Sequence, residues 1–294
     1  MVGRLSYTMI ERPGDTGRAE IALSVSVVSY RSDLDQLAAT LTSLGIAAGR
    51  AHAAGALASV VLWVVDNGEC DPAALDNVVA QAIAPHGAWL RSEMVRGHGN
   101  VGYGQGHNLA IARACGRYHL VLNPDIVVDP EALIEGLRLL EAHPDIGMLA
   151  PHVRAPSGAR QFLCKRYPSV LMLGLRGFAP AWLRRPFRAR LDHYEMRDLR
   201  EDAPFTPVPI ASGCFMLCRA EALAAVGGFS PAYFMYFEDF DLSLRLARVA
   251  TIAYAPRVRI VHAGGHSAGK GWAHRRMFVR SAIAFFRRHG WRLV

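Results

Sequence analysis

Three apolar runs constrain this chain more than any other feature: IALSVSVVSY (21–30), VVLWVVDN (60–67) and YHLVLNPD (118–125), the last two ending in an acid or its amide. Their length and β-branched content fit buried strands rather than helices. Between them the period changes. Leu34, Leu37, Leu41 and Leu44 recur at helical spacing, residues 72–84 read as a second helix, and 89–95 as a further strand. A glycine-studded loop, GHGNVGYGQG (97–106), leads into NLAIARAC, a helix expected to begin beyond Gly106. Asp129 followed by Pro130 predicts another helix start, running to about His143. This alternation predicts an α/β fold built on a parallel, Rossmann-like sheet.

The second half changes character. Residues 146–165 read as short strands, 168–206 as irregular and arginine-rich, and PIASGCFMLCR (209–219) as a strand. After a short helix closed by Gly227-Gly228 come the aromatic stretch SPAYFMYFEDFD, a helix to about Ala250, strands at 251–255 and 258–263, and a basic helix at 272–289. The expected organisation is an N-terminal extension (1–20), a sheet-based half (21–130) and a smaller half (131–294) packed as one body. With 294 residues, 51% hydrophobic and only 20% charged, the chain can bury a sizeable core, which excludes wholesale disorder. Five scattered cysteines without a CxxC pair argue against a disulfide framework or structural zinc. The N-terminus lacks an apolar signal segment, and the longest apolar run, 53–65, falls short of the roughly 20 residues of a spanning helix. A cytoplasmic protein without a membrane span is expected.

Ligands of open α/β sheets bind beyond the carboxyl ends of strands. Ser29-Tyr30, Asp66-Asn67 and Asn123-Pro124-Asp125 stand at such ends. One acid there is often only a turn former; three neighbouring ends point to a site. Gly97, Gly99 and Gly102 spell G-x-G-x-x-G, but the loop does not follow the first strand, which argues against a dinucleotide fingerprint. It reads instead as backbone that approaches a ligand, with Asn100 and Asn108 supplying amides, or as a plain surface turn. In FEDFDLSLR, Asp241 suits an (i, i+4) pair with Arg245. Glu238 and Asp239 follow Tyr233, Phe234, Tyr236 and Phe237. Aromatic walls raise a carboxylate's pKa and suit general-base work. Those aromatics could also stack on a sugar, with at least half expected to be plain core. His262 ends a strand before Gly264-Gly265, with His266 nearby; metal or phosphate contact and a structural role stand about level.

In order along the chain, VSY, VVDNGE, GNVGYGQGHN, LNPD, ASGCFMLCR, GGF…YFMYFEDFDLSLR and VHAGG span roughly 21–266. This set resembles family 2 glycosyltransferases of the GT-A fold, in particular their rhamnosyltransferase-like branch. The resemblance implies a nucleotide-sugar-binding half fused to an acceptor-binding half. It also implies inverting transfer of a sugar, best matched by L-rhamnose, from a dTDP- or UDP-linked donor. The acceptor would be a glycan or a polyprenyl-diphosphate-linked sugar, in cell-surface polysaccharide assembly. Residue by residue it implies that Asp66 hydrogen-bonds the donor's pyrimidine base; with the strand-end and loop readings above, the expected donor contacts are Ser29, Tyr30, Asp66, Asn67, Asn100, Gly102, Asn108 and Asn123. Asp239, beside Glu238, would be the catalytic base, and Asp125 and His262 would hold Mg²⁺ or Mn²⁺. The aromatic run Tyr233, Phe234, Tyr236 and Phe237, read above as able to stack on a sugar, is the expected acceptor side. One departure is Asn123, which stands where the family's D-x-D motif begins with aspartate and so weakens the case for strict metal dependence.

The net charge is +8, and all but two of the 33 basic residues (Lys165 and Lys270) are arginines. Guanidinium forks suit phosphates; a compositional bias towards arginine explains the excess equally well. Arginines mix with apolar residues in 171–191 and 275–292. The first leans towards an anionic membrane surface, on the inner face of the cytoplasmic membrane, and the second towards a packed helix with a solvated basic face. A nucleotidyltransferase of related fold should carry a glycine-rich loop after the first strand, where SYRSDLDQL has none. A nucleotide- or nucleic-acid-binding module would leave Asp125, Glu238, Asp239 and His262 without a role, so no nucleic-acid partner is expected.

Overall fold

The alternation of strand and helix appears as expected in a computed structural model that describes residues 22–264 and 272–294. The expected extension (1–20), Gly265 and His266 lie outside those residues. β1 (Ala22–Ser29), β2 (Ser59–Asp66), β3 (Leu90–Val95) and β4 (Tyr118–Leu122) lie parallel in the order β3-β2-β1-β4. They are joined by α1 (Leu34–Ala53), α2 (Pro72–Ile83) and α3 (Tyr103–Ile111). Asp33 caps α1 by accepting from the amides of Asp35 and Gln36, and the periodic leucines Leu37, Leu41 and Leu44 are buried. On the same helix Thr40 and Ser43 accept the amides of Ile126 and Val128, pinning β5 (Ile126–Val128) beside it.

The same sheet continues through the second half. α4 (Ala132–Ala142) and β6 (Ile146–Arg154) follow β5, and β7 (Arg160–Gln161) pairs with β6. After the short helices α5 (Val170–Phe178), α6 (Ala181–Arg184) and α7 (Arg188–Tyr194) come β8 (Phe215–Arg219) and α8 (Ala220–Ala225). The chain ends with α9 (Glu238–Leu246), β9 (Thr251–His262) and α10 (Trp272–His289). The full order is β3-β2-β1-β4-β8-β6-β9-β5, with β8 antiparallel to β4. That reversal places the entry of β8 against the exit of β4. A residue boundary at 130 falls between β5 and α4, within this continuous sheet.

Several local expectations need correction. α3 begins directly after Gly102, four residues before the expected start, because the glycine loop supplies its first turn. The strand expected over 209–219 is regular only from Phe215, since Gly213 and its neighbours turn towards the site. The two strands expected at 251–255 and 258–263 are one, bent by a register shift opposite Pro151/His152. The stretch 168–206 is irregular only beyond Tyr194: before that, Pro180 and Pro186 break it into α5, α6 and α7, which masks the helical period. Asp129 closes a turn, accepting from the amides of Glu131 and Ala132, and α4 starts at Ala132.

α9 and α10 are joined by a buried ionic knot. Fully buried Asp241 receives Arg245 Nε at 2.7 Å as expected, and also His289 Nε2 at 2.8 Å and Arg288 Nε at 3.3 Å. Around it Tyr233, Phe237, Phe285 and Phe286 form a separate aromatic core. Removing one member of such a network leaves the others buried without compensation. Asp241→Ala should therefore lower unfolding stability by about 3–5 kcal/mol in denaturant titration. Glu131→Ala, which breaks the exposed Arg50–Glu131 pair, should cost less than about 1 kcal/mol. Equal effects would refute the role given to the knot.

Candidate active site

The sheet order reverses between β1 and β4, which opens a crevice at their carboxyl ends. Ser29, Asp66, Asn67, Asn123 and Asp125 all stand at its rim. Ser29 accepts the Asn67 amide through its carbonyl, and its hydroxyl donates to Ser32. Buried Asp66 accepts the Gly68 amide at 2.9 Å, and its other oxygen lies 3.3 Å from Arg96 Nε. Arg96, unnoticed in the sequence, is itself held by Asp76. Tyr30 turns outwards and donates to Glu69.

The glycine loop closes over this rim. Asn67 Nδ2 donates to the Gly102 carbonyl, and Asn100 accepts the Gly102 amide. Gly102 sits at φ +85, and a Cβ there would lie 2.2 Å from the Phe234 carbonyl oxygen, so only glycine fits. Asn108 differs from the sequence expectation. Both ends of its amide engage Phe229, accepting from its N–H and donating to its carbonyl, so it fastens α3 to the loop before α9.

Tyr103, another residue missed in the sequence, links the two sides of the site. Its hydroxyl shares one proton between Gly213 O at 2.6 Å and Asn123 Oδ1 at 2.9 Å. The Gly213 amide in turn donates to Asp239 Oδ2 at 3.0 Å. A polar chain thus runs from the NPD turn through Tyr103 and Gly213 to Asp239. The only sequence sign was a tyrosine inside a glycine-rich loop, which a surface turn explains equally well.

Glu238 and Asp239 open α9 after a tight turn in which Tyr236 and Phe237 take φ +70 and +65. Such backbone is costly for bulky residues and here sets the direction of the two carboxyls. Burial pushes both carboxyls up in pKa. For Glu238, burial and the neighbouring Asp239 charge raise it to about 8, and its Oε2 has no hydrogen-bond partner. Asp239 is partly relieved by the amides of Gly213 and Phe240. The pair therefore splits its protons, with Glu238 neutral and Asp239 the readier base.

Asp125 and His262 face each other, with His262 Nε2 3.5 Å from Asp125 Oδ2. Gln161 Nε2 donates to the His262 carbonyl, so its Oε1 accepts from His262 Nδ1 and leaves Nε2 a lone pair. Asp125 Oδ1 is buried without a partner. A Cβ at Gly264 would lie 2.3 Å from Asp125 Oδ2 and 2.6 Å from His262 Nε2, so a side chain there would fill the space between them. One carboxylate oxygen and one imidazole nitrogen fit a divalent cation whose other ligands come from a substrate's phosphates. Among the described residues no three His, Cys, Asp or Glu side chains cluster as a complete protein-made site.

The four aromatics divide by burial. Tyr233 and Phe237 are core residues and cannot meet a sugar, which corrects their expected place at the acceptor. Tyr236 is half-buried and hydrogen-bonds His274 of α10, while Phe234 is exposed over the glycine loop.

Residues 21–281 match the model of the glycosyltransferase-like family 2. The chain is 30% identical over 288 residues to the N-acetylglucosaminyl-diphospho-decaprenol L-rhamnosyltransferase of Mycobacterium tuberculosis (strain ATCC 25618 / H37Rv), covering 92% of this chain and 86% of that protein. It is 26% identical over 200 residues to rhamnosyltransferase WbbL of Escherichia coli (strain K12), 65% of this chain and 70% of the other. Among solved structures, GalNAc-T7 with UDP, GalNAc and Mn²⁺ aligns with TM-score 0.61 at 14% identity, over 85% of this chain but only 44% of its own. The mannosyltransferase PcManGT from Pyrobaculum calidifontis, with GDP-Man and Mn²⁺, gives 0.60 at 16% identity over 93% of this chain and 66% of its own. These two show a shared GT-A fold. With the family match covering most of the chain, the conclusion is that this protein belongs to glycosyltransferase family 2 and is a glycosyltransferase.

Proposed function

We propose that the chain is an inverting rhamnosyltransferase. It moves L-rhamnose from a dTDP- or UDP-linked donor to a hydroxyl of a polyprenyl-diphosphate-linked glycan, in cell-surface polysaccharide assembly. The observation that carries inverting transfer is the single readied base: Asp239 is braced by Gly213 and linked through Tyr103 to the strand ends where a donor binds. The choice of rhamnose and of a lipid-linked acceptor rests on likeness to the mycobacterial relative, an N-acetylglucosaminyl-diphospho-decaprenol L-rhamnosyltransferase.

Asp239 takes the acceptor hydroxyl's proton as that oxygen attacks the anomeric carbon and the bond to the donor diphosphate breaks on the opposite face. Glu238, keeping its proton, spares Asp239 a like charge. Asp125 and His262 would hold Mg²⁺ or Mn²⁺, which when bound neutralises charge on the departing diphosphate. The strand-end residues Ser29, Asp66, Asn67 and Asn123, with the loop from Asn100 to Gly102, hold the nucleotide side.

A lipid-linked acceptor brings the enzyme to a membrane surface. Exposed Val170, Trp182 and Leu183 lie in or beside α5 and α6, and exposed Trp272, Val279 and Ile283 on α10. Arg292 and Leu293 accept the amides of Val170 and Leu171, adding exposed Trp291 and Leu293 to the same region. No described helix is long and apolar enough to cross a membrane. Apolar side chains among arginines suit peripheral contact with an anionic bilayer. This reading goes beyond the expectation for α10, a packed helix with a solvated basic face.

With a rhamnosyl donor and lipid-linked acceptor, NMR of the product should show the anomeric configuration opposite to that of the donor; retention would exclude direct displacement. Asp239→Asn should lower turnover by roughly 10²–10⁴-fold while sparing donor affinity. Because burial raises the Asp239 pKa, kcat/KM should fall as pH drops through a limb lying above the ordinary aspartate value of about 3.9. That limb should survive in Glu238→Gln, whose lost group is protonated at neutral pH; its disappearance would move the base to Glu238. Calorimetry should show Mn²⁺ strengthening nucleotide binding in the wild type but not in Asp125→Ala. In flotation, wild type should rise with phosphatidylglycerol vesicles and Trp182→Ala/Trp272→Ala should not; absence of wild-type flotation would refute the membrane contact.

A further inference from the structure

The arginines of α6, α7 and their surroundings form a cleft of about 330 Å³, separate from the nucleotide crevice. That volume falls at the lower end of ligand sites, about 300–1,000 Å³. Arg176, Arg184, Arg185, Arg188 and Arg197 line it, against only Asp192 and Glu195. The two carboxylates are fully engaged. Glu195 receives Arg197 at 2.8 Å and Arg176 at 3.2 Å, with buried Lys165 behind it at 3.9 Å. Asp192 receives Arg197 at 3.0 Å and Arg188 at 3.8 Å. Arg184 and Arg185 pair with no carboxylate among the described residues. Five guanidinium groups converging on two already occupied carboxylates leave uncompensated charge that a compact polyanion would neutralise.

The cleft backs onto the aromatic core beneath the catalytic turn. Tyr194, next to Glu195, is buried in the same aromatic core as Phe237, which directly precedes Glu238 and Asp239. At the outer edge, exposed Trp182 and Leu183 directly precede Arg184. A diphosphate seated here would have an apolar surface on one side for an isoprenoid, with the core that carries the catalytic turn behind it.

We propose that this cleft binds the diphosphate of a prenyl-diphosphate-linked acceptor, chiefly through Arg184 and Arg185. The proposal rests on the lipid-linked-acceptor reading above and adds the residues that recognise the acceptor's phosphates. It is tested by calorimetric titration of the whole chain with geranyl diphosphate, the donor crevice first being saturated with nucleoside diphosphate and Mg²⁺. Arg184→Gln/Arg185→Gln should raise the Kd at least about tenfold. Arg138→Gln/Arg257→Gln, which removes the same charge from the exposed pairs on Glu135, should leave it unchanged. Equal weakening in both double variants, or in neither, would overturn the site. A parallel arm uses phosphatidylglycerol vesicles. If Arg184→Gln/Arg185→Gln loses vesicle binding but keeps geranyl diphosphate affinity, the cleft is a headgroup contact and the proposal fails. Binding is read without turnover, so a chain that held geranyl diphosphate through these arginines yet transferred no rhamnose would refute the proposed function alone.

Discussion

The site depends on one hydroxyl. Tyr103 stands at the first turn of α3, yet its proton is shared between Asn123 on the exit of β4 and Gly213 on the entry to β8. Antiparallel pairing of those strands brings the two acceptors together: the Asn123 amide donates to the Cys214 carbonyl, and Leu122 stands opposite Phe215. Gly213 then presents its amide to Asp239. The glycine loop, the donor-side turn and the base are therefore held by one short polar chain in a buried setting, where hydrogen bonds are strong and unmade ones expensive.

The packing behind the base has the same logic. Tyr236 and Phe237, in left-handed backbone, force the turn that aims Glu238 and Asp239, and strain of this kind persists only where the surroundings over-determine it. The Asp241 knot, the Tyr236–His274 hydrogen bond and the Phe237–Phe285 contact all tie that turn to α10. α10 thus joins the catalytic turn on its inner face to an outer face of Trp272, Val279 and Ile283 among arginines.

Much of the first half was legible because its signals are local. Strand composition, the leucine period of α1 and the acid ending β2 each need only neighbouring residues, and the Asp241–Arg245 pair needs only one helical turn. What escaped depends on contacts far apart in sequence. Tyr103 meets Gly213 across 110 residues, and Gln161 orients His262 across 101. Asn108, a free amide on paper, engages Phe229, and Tyr233 and Phe237 are drawn into a core that exists only once α10 docks. The start of α3 was misplaced because glycines discourage helix by propensity, whereas tertiary contact at Gly102 and packing of Gly104 and Gly106 on Phe229 and Val28 outweigh it.

The +8 charge also gains a location. Its carriers are not spread along the nucleotide crevice: many gather around α5–α7 and on α10, where exposed apolar side chains accompany them. The central claim, that the Tyr103 hydroxyl couples the donor turn to the base, is tested most directly by the single-turnover transfer rate of Tyr103→Phe with donor bound in advance. The substitution keeps the ring that packs on His107 and Phe229. The rate should fall at least about tenfold while donor affinity stays near wild type. A wild-type rate, or a loss confined to donor affinity, would contradict the account.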